Sequence, residues 1–176
     1  MFGLQIKYLS FFFGLITILS FFNLIYSYYL NLYLNLDTYY FSLIISLIIS
    51  ILFYKIKTIN KKASIFEKIL TVFLGYILIP LVLSIPFYFS IYNLTFLNSF
   101  FEAISGFTST GFTIFENIKH IDQSLILWRS SSQWIGGLYF LFSIILLIDI
   151  FDISLKKSLT NFLSFNVSET LKQSSK

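Results

Sequence analysis

The sequence predicts an all-α integral membrane fold: four transmembrane helices, with one shorter re-entrant helix and an extended return. Three observations carry this. Hydrophobic residues make up 57% of the 176 residues, aromatic residues 21% and charged residues 11%, with a mean hydropathy of +0.83, whereas a soluble domain carries about a quarter charged residues. Four apolar runs approach or exceed the roughly 20 helical residues that cross a hydrocarbon layer of about 30 Å. Between the third and fourth lies a polar stretch punctuated by glycine, Ser105-Gly106-Phe107-Thr108-Ser109-Thr110-Gly111-Phe112-Thr113.

The runs cover residues 8–30, 39–54, 65–91 and 125–151. The second is the shortest, and its flanking residues complete the crossing. A polar turn at 31–37 joins the first two, and a basic linker with Lys55, Lys57, Lys61 and Lys62 joins the second to the third. Lys7 precedes the first run, and Lys156, Lys157, Lys172 and Lys176 follow the last. Positive charge gathers on the cytoplasmic side of membrane proteins, which places both termini inside and residues 92–124 outside. The formal net charge of +4 is accounted for by this topology and by anionic lipid, with no nucleic-acid partner needed. The first run is too long for the apolar core of a cleaved signal and no small-residue cleavage site follows it. The last dozen residues read as a solvated tail. Residues 60–64 offer a start for the third helix, and Pro80 and Pro86 can kink it because each lacks a backbone donor.

Residues 95–106 read as a short amphipathic helix, with Thr95 as its cap, Phe96, Phe100, Phe101 and Ile104 as its apolar contacts and Gly106 at its end. Twelve residues at 1.5 Å each span about 18 Å, roughly half a membrane. Such a helix dips in, and 108–113 must return as extended backbone. Irregular backbone at that depth is tolerated only when its carbonyls meet protein, water or ions. Gly111 permits conformations closed to other residues, so that neighbouring carbonyls can face one way. The partial negative charge at the helix C-terminus favours a cation beyond it. Threonine, serine and glycine are also common in ordinary loops, so the flanks decide.

Those flanks read Phe101-Glu102-Ala103-Ile104-Ser105-Gly106-Phe107-Thr108, then Ser109-Thr110-Gly111-Phe112-Thr113, Trp128-Arg129-Ser130 and Gln133-Trp134-Ile135-Gly136-Gly137, with Pro86-Phe87 upstream. In this order and spacing the chain resembles the membrane subunits of the Trk/Ktr/HKT superfamily of potassium transporters, along nearly its whole length. The resemblance implies a helix–pore-loop–helix repeat at 65–152, with pore helix 95–106 and filter 108–113. Two leading helices and the basic linker at 1–64 precede it, and a cytoplasmic tail at 153–176 follows. It implies potassium, or in some members sodium, held by the backbone carbonyls of Ser109, Thr110, Gly111, Phe112 and Thr113, with no other cofactor. It also implies a plasma-membrane location and a cytoplasmic nucleotide-binding ring as a regulatory partner; the Lys55–Lys62 linker either touches such a partner or, as the first reading, serves only to set topology.

The family normally carries four such repeats in one polypeptide, whereas one is present here. Four copies assembling around one axis, or an N-terminal part of a larger or split transporter, are the two arrangements that remain. A non-conducting fragment or accessory subunit is the competing class. Asp149 and Asp152 stand where the family is usually apolar and mark the end of the last span. No activated nucleophile, acidic cluster or metal-ligand set supports an enzyme: cysteine is absent and His120 is the single histidine.

Glu102 and Arg129 are charges that need partners at membrane depth; they are expected to pair behind the filter, or each to reach interfacial water. Gly136 and Gly137 suit a close helix approach. Trp128, Trp134 and Tyr139 read as packing or interface residues. Glu116, His120 and Asp122 read as a solvated outer loop with weak attraction for cations.

Overall fold

A computed structural model describes residues 6–56, 64–116 and 121–147, all helix and loop among the described residues. Helix α1 (Ile6–Tyr29) and helix α2 (Leu36–Lys55) form an antiparallel hairpin. Its seam is lined with small hydroxyl residues: Ser10 and Ser50 each donate to the other's carbonyl, at 2.8 and 3.0 Å, Thr17 meets Ser46 at 2.9 Å and Ser20 donates to Ser42 at 3.2 Å. Between helices that lie in lipid, apolar contact alone adds little, so small side chains and shared hydroxyls set the pairing.

Helix α3 (Ile65–Leu83) opens on a capping box, in which Ser64 Oγ accepts from the Glu67 N–H while Glu67 Oε2 accepts from the Ser64 N–H. The third run is not one continuous helix. It breaks at Ser84 and resumes as α4 (Ile85–Tyr88), with Pro86 in its first turn. Pro86 has no N–H to offer the Val82 carbonyl one turn back, and at the same break Leu83's carbonyl accepts the buried indole N–H of Trp128 at 3.0 Å.

Helix α5 (Phe96–Phe107) is followed, after a loop, by α6 (Gln123–Leu147). Four segments, Lys7–Tyr29, Leu36–Lys55, Ile65–Tyr88 and Gln123–Leu147, are long and apolar enough to cross a membrane. The bends and extensions relative to 8–30, 39–54, 65–91 and 125–151 are small, except for the break at Ser84. Lys57, Lys61, Lys62, His120, Asp149, Asp152 and the tail lie outside the described residues.

The core gathers around Tyr139 of α6, which is fully buried. Its ring lies 4.8 Å from Phe12, 5.1 Å from Tyr76 and 5.4 Å from Phe107, and its hydroxyl donates to the Val72 carbonyl at 2.9 Å. A side chain at Gly75 would fall on that hydroxyl. Phe21, Phe22, Phe41, Phe66 and Phe73 are each more than half exposed on the chain, as residues facing lipid are.

Candidate functional site

The Thr95 hydroxyl caps α5 by accepting from the Asn98 N–H at 3.3 Å. The buried face of α5 differs from the expected one: Ser99, Glu102, Ala103, Ser105, Gly106 and Phe107 are turned inward, while Phe96 and Phe101 are 53% and 41% exposed. The small and polar residues take the interior because they allow backbones to approach and hydrogen bond, and the phenylalanines are left for a neighbouring apolar surface.

The helix also ends one residue later than Gly106. Its end is made by Ser109, whose φ of 57° is left-handed. The Ser109 N–H bonds to the Gly106 carbonyl at 2.9 Å and the Thr110 N–H to the Ser105 carbonyl at 3.1 Å, the paired bonds of a Schellman stop. Gly106 serves packing instead, since a Cβ there would lie 3.4 Å from Ser132 Cβ on α6. Gly136 is tighter still: its Cβ would coincide with the Phe107 carbonyl. Gly137 faces open space, so only one glycine of that pair makes the close approach.

Beyond the stop the chain is irregular. Gly111 has φ 80°, and residues 108–112 are exposed on the single chain. They are nevertheless anchored from behind. Glu102 is fully buried; its Oε1 accepts from the Thr113 hydroxyl at 2.7 Å and from the Ile114 N–H at 2.6 Å. Its Oε2 lies 3.0 Å from Arg129 Nη1. Those two atoms have no other partner, so the ion pair is what satisfies both. Arg129 Nη2 donates to the Phe112 carbonyl at 2.7 Å and to the Gly111 carbonyl at 3.3 Å. Ser105 Oγ donates to the same Phe112 oxygen at 2.6 Å.

The five carbonyls are therefore not equivalent. A carbonyl oxygen has two lone pairs, and both of Phe112's are engaged. Gly111 retains one. Among the described residues no donor reaches the carbonyls of Ser109, Thr110 or Thr113.

Asp122 is a structural hub and not a solvated loop residue. Its Oδ2 accepts from Asn35 Nδ2 at 2.8 Å and from Ser124 Oγ at 2.7 Å, and its N–H donates to the Tyr92 hydroxyl at 2.7 Å. Asn35 Oδ1 accepts from the Ile91 N–H at 3.0 Å, Tyr39's hydroxyl meets Ser124 Oγ at 2.8 Å, and Asn23 Nδ2 donates to the Ser124 carbonyl at 3.2 Å. This cluster ties α1, α2, the loop after α4 and the start of α6 together on the side of the bundle away from Lys7. Glu116 is exposed, and Trp134 is 58% exposed. Among the described residues no group of three or more acidic or histidine side chains is placed to hold a metal through side chains.

Four helices able to cross a membrane, and a fifth, short one whose exit segment is pinned by a buried ion pair, define a multi-pass helical membrane protein with a built polar loop. Among known proteins, the chain is similar to an uncharacterized cation transporter of Methanocaldococcus jannaschii, 29% identical over 126 residues that cover 70% of this chain and 26% of that protein. It is 40% identical over 60 residues to the Trk system potassium uptake protein TrkI of Halomonas elongata, covering 34% of this chain and 11% of the relative. With the Trk system potassium uptake protein TrkH of Escherichia coli it shares 36% identity over 73 residues, 41% of this chain and 15% of that one. These similarities support the resemblance to Trk-type membrane subunits. The chain spans about a quarter or less of the length of these relatives. No family model matches it, and no solved structure matches it.

Proposed function

We propose that the chain is a subunit of a potassium pathway, contributing α5 as a re-entrant pore helix and 108–113 as one strand of a carbonyl filter. The supporting observation is the contrast within that segment: anchored from behind by Glu102 and Arg129, exposed over 108–112, with the Ser109, Thr110 and Thr113 carbonyls free of protein donors among the described residues. Ser109, Thr110 and Thr113 are the ligands ready in this conformation; Gly111 contributes its remaining lone pair. For Phe112 to serve, its carbonyl must exchange the bonds from Ser105 and Arg129 for the ion. The C-terminal dipole of α5 adds to the cation's stabilisation.

Backbone carbonyls replace a potassium ion's hydration shell only when they surround it. One strand covers one side, so this reading requires further repeats, from copies of the chain or from another polypeptide. Sodium is the alternative ion. The proposed setting is the plasma membrane with both termini in the cytoplasm, and a nucleotide-binding ring is the proposed cytoplasmic partner. The relatives are transporters by name, which supports transport over catalysis.

Expression in cells that lack potassium uptake tests the reading. Rescue of growth at low potassium that Gly111→Ser abolishes supports it. Rescue that ignores Gly111→Ser contradicts it.

A further inference from the structure

The end of the α1–α2 hairpin that carries Lys7 and Lys55 holds a groove of about 360 Å³, lined by Lys7, Phe11, Gly14, Leu15, Ile18 and Tyr54, with Ser10 and Ser50 on its floor. Gly14 makes the notch; the nearest atom to a Cβ there would be Ser50 Oγ at 3.5 Å. The floor is chemically closed, because Ser10 and Ser50 satisfy each other's hydroxyls and carbonyls. What remains is an apolar trough. From Lys7 to Ile18 it follows α1 for about 16 Å at 1.5 Å per residue, close to one leaflet's share of a hydrocarbon layer of about 30 Å. At its mouth stand the Lys7 ammonium, without an ion-pair partner among the described residues, and Tyr54, 71% exposed.

We propose that this groove is a binding site for an anionic phospholipid. The phosphate sits on Lys7 and the Tyr54 hydroxyl, and one acyl chain lies along Phe11, Gly14, Leu15 and Ile18. Charge at the mouth, closed polar groups beneath and a length matched to one leaflet select a lipid over a polar solute. Basic recesses between helices at the cytoplasmic face are suited to acidic headgroups. The site is independent of the proposed filter, which lies at 108–113, beyond the end of α5.

Native mass spectrometry of the purified full chain, from micelles containing dioleoyl phosphatidylglycerol or dioleoyl phosphatidylcholine, tests this. The unmodified chain is expected to retain phosphatidylglycerol about fivefold better, the preference one well-placed basic residue supplies. Lys7→Ala is expected to abolish that preference, whereas Lys68→Ala, on α3 away from the groove, leaves it intact. Gly14→Leu, which fills the notch, is expected to reduce retention of both lipids. Ile18→Trp does so from the exposed rim and decides alone if circular dichroism shows Gly14→Leu unfolded. Equal retention of the two lipids, equal losses in Lys7→Ala and Lys68→Ala, or full retention by the folded groove variants would each overturn the site. So would a dimer that Gly14→Leu or Ile18→Trp converts to monomer, since that assigns the groove to a second copy.

Discussion

Arg129 holds Glu102 and the Phe112 carbonyl at once, Nη1 lying 3.0 Å from Glu102 Oε2 and Nη2 2.7 Å from the Phe112 oxygen. One guanidinium thereby links a buried charge on α5 to the backbone of the exit segment. Its planar fork suits two acceptors at once, and lysine's single ammonium does not reproduce that geometry. The carboxylate completes the frame by holding Thr113 and Ile114 with its other oxygen.

Removing either partner leaves a buried charge or buried donors uncompensated, a loss of about 3–5 kcal/mol for a buried pair. Glu102→Gln and Arg129→Ala are each expected to lower thermal stability in detergent, and the double variant to lose much less than the two losses added. Additivity within about 0.5 kcal/mol would show the pair to be uncoupled.

Gly136 and Gly137 should separate sharply. Gly136→Ala drives a methyl into the Phe107 carbonyl and is expected to destabilise by about 1–3 kcal/mol, as overpacking does. Gly137→Ala meets open space and is expected to be neutral or slightly stabilising, since alanine favours helix by up to about 1 kcal/mol over glycine. Melting temperatures of the two variants check this.

Asp122→Ala removes the acceptor shared by Asn35 and Ser124. Leaving buried donors unpaired costs about 1–3 kcal/mol. Hydrogen exchange is expected to rise in 91–92 and in the first turn of α6 while the α1–α2 seam near Ser10 and Ser50 keeps its protection.

In the seam, Ser46→Ala removes one hydroxyl from the Thr17 contact and is expected to cost about 0.6 kcal/mol, the average for such bonds between membrane helices. Ser46→Leu must separate the helices and is expected to cost clearly more. Thermal unfolding of the two variants distinguishes a packed seam from a slack one.

The four crossings were legible because a long apolar run has few alternatives, and the Thr95 cap because a short hydroxyl before an apolar run satisfies free helix N–H groups. The juxtaposition of Glu102 with Arg129 was legible because two charges in an apolar setting need partners. The break at Ser84 was legible in part, since Pro86 two residues on marks a kink, whereas the Trp128 indole that takes the Leu83 carbonyl arrives from a distant span. Ser109's left-handed turn gave little local signal, since glycine usually fills that place and Gly106 drew attention instead. The hub at Asp122 depends on Asn35 and Tyr92, far away in sequence. The hydroxyl seam did leave a mark: Ser42, Ser46 and Ser50 recur every fourth residue on α2, one helical face, facing Ser10, Thr17 and Ser20. That periodicity was hidden by the apolar residues around it.

The most direct measurement is anomalous scattering from crystals of the assembled protein grown with rubidium or thallium in place of potassium. Peaks on the assembly axis, bonded to the carbonyls of Ser109, Thr110 and Thr113 and lost in Gly111→Ser, are the expected result. Residues 108–113 facing lipid, with no ion within bonding distance of those oxygens, would contradict it.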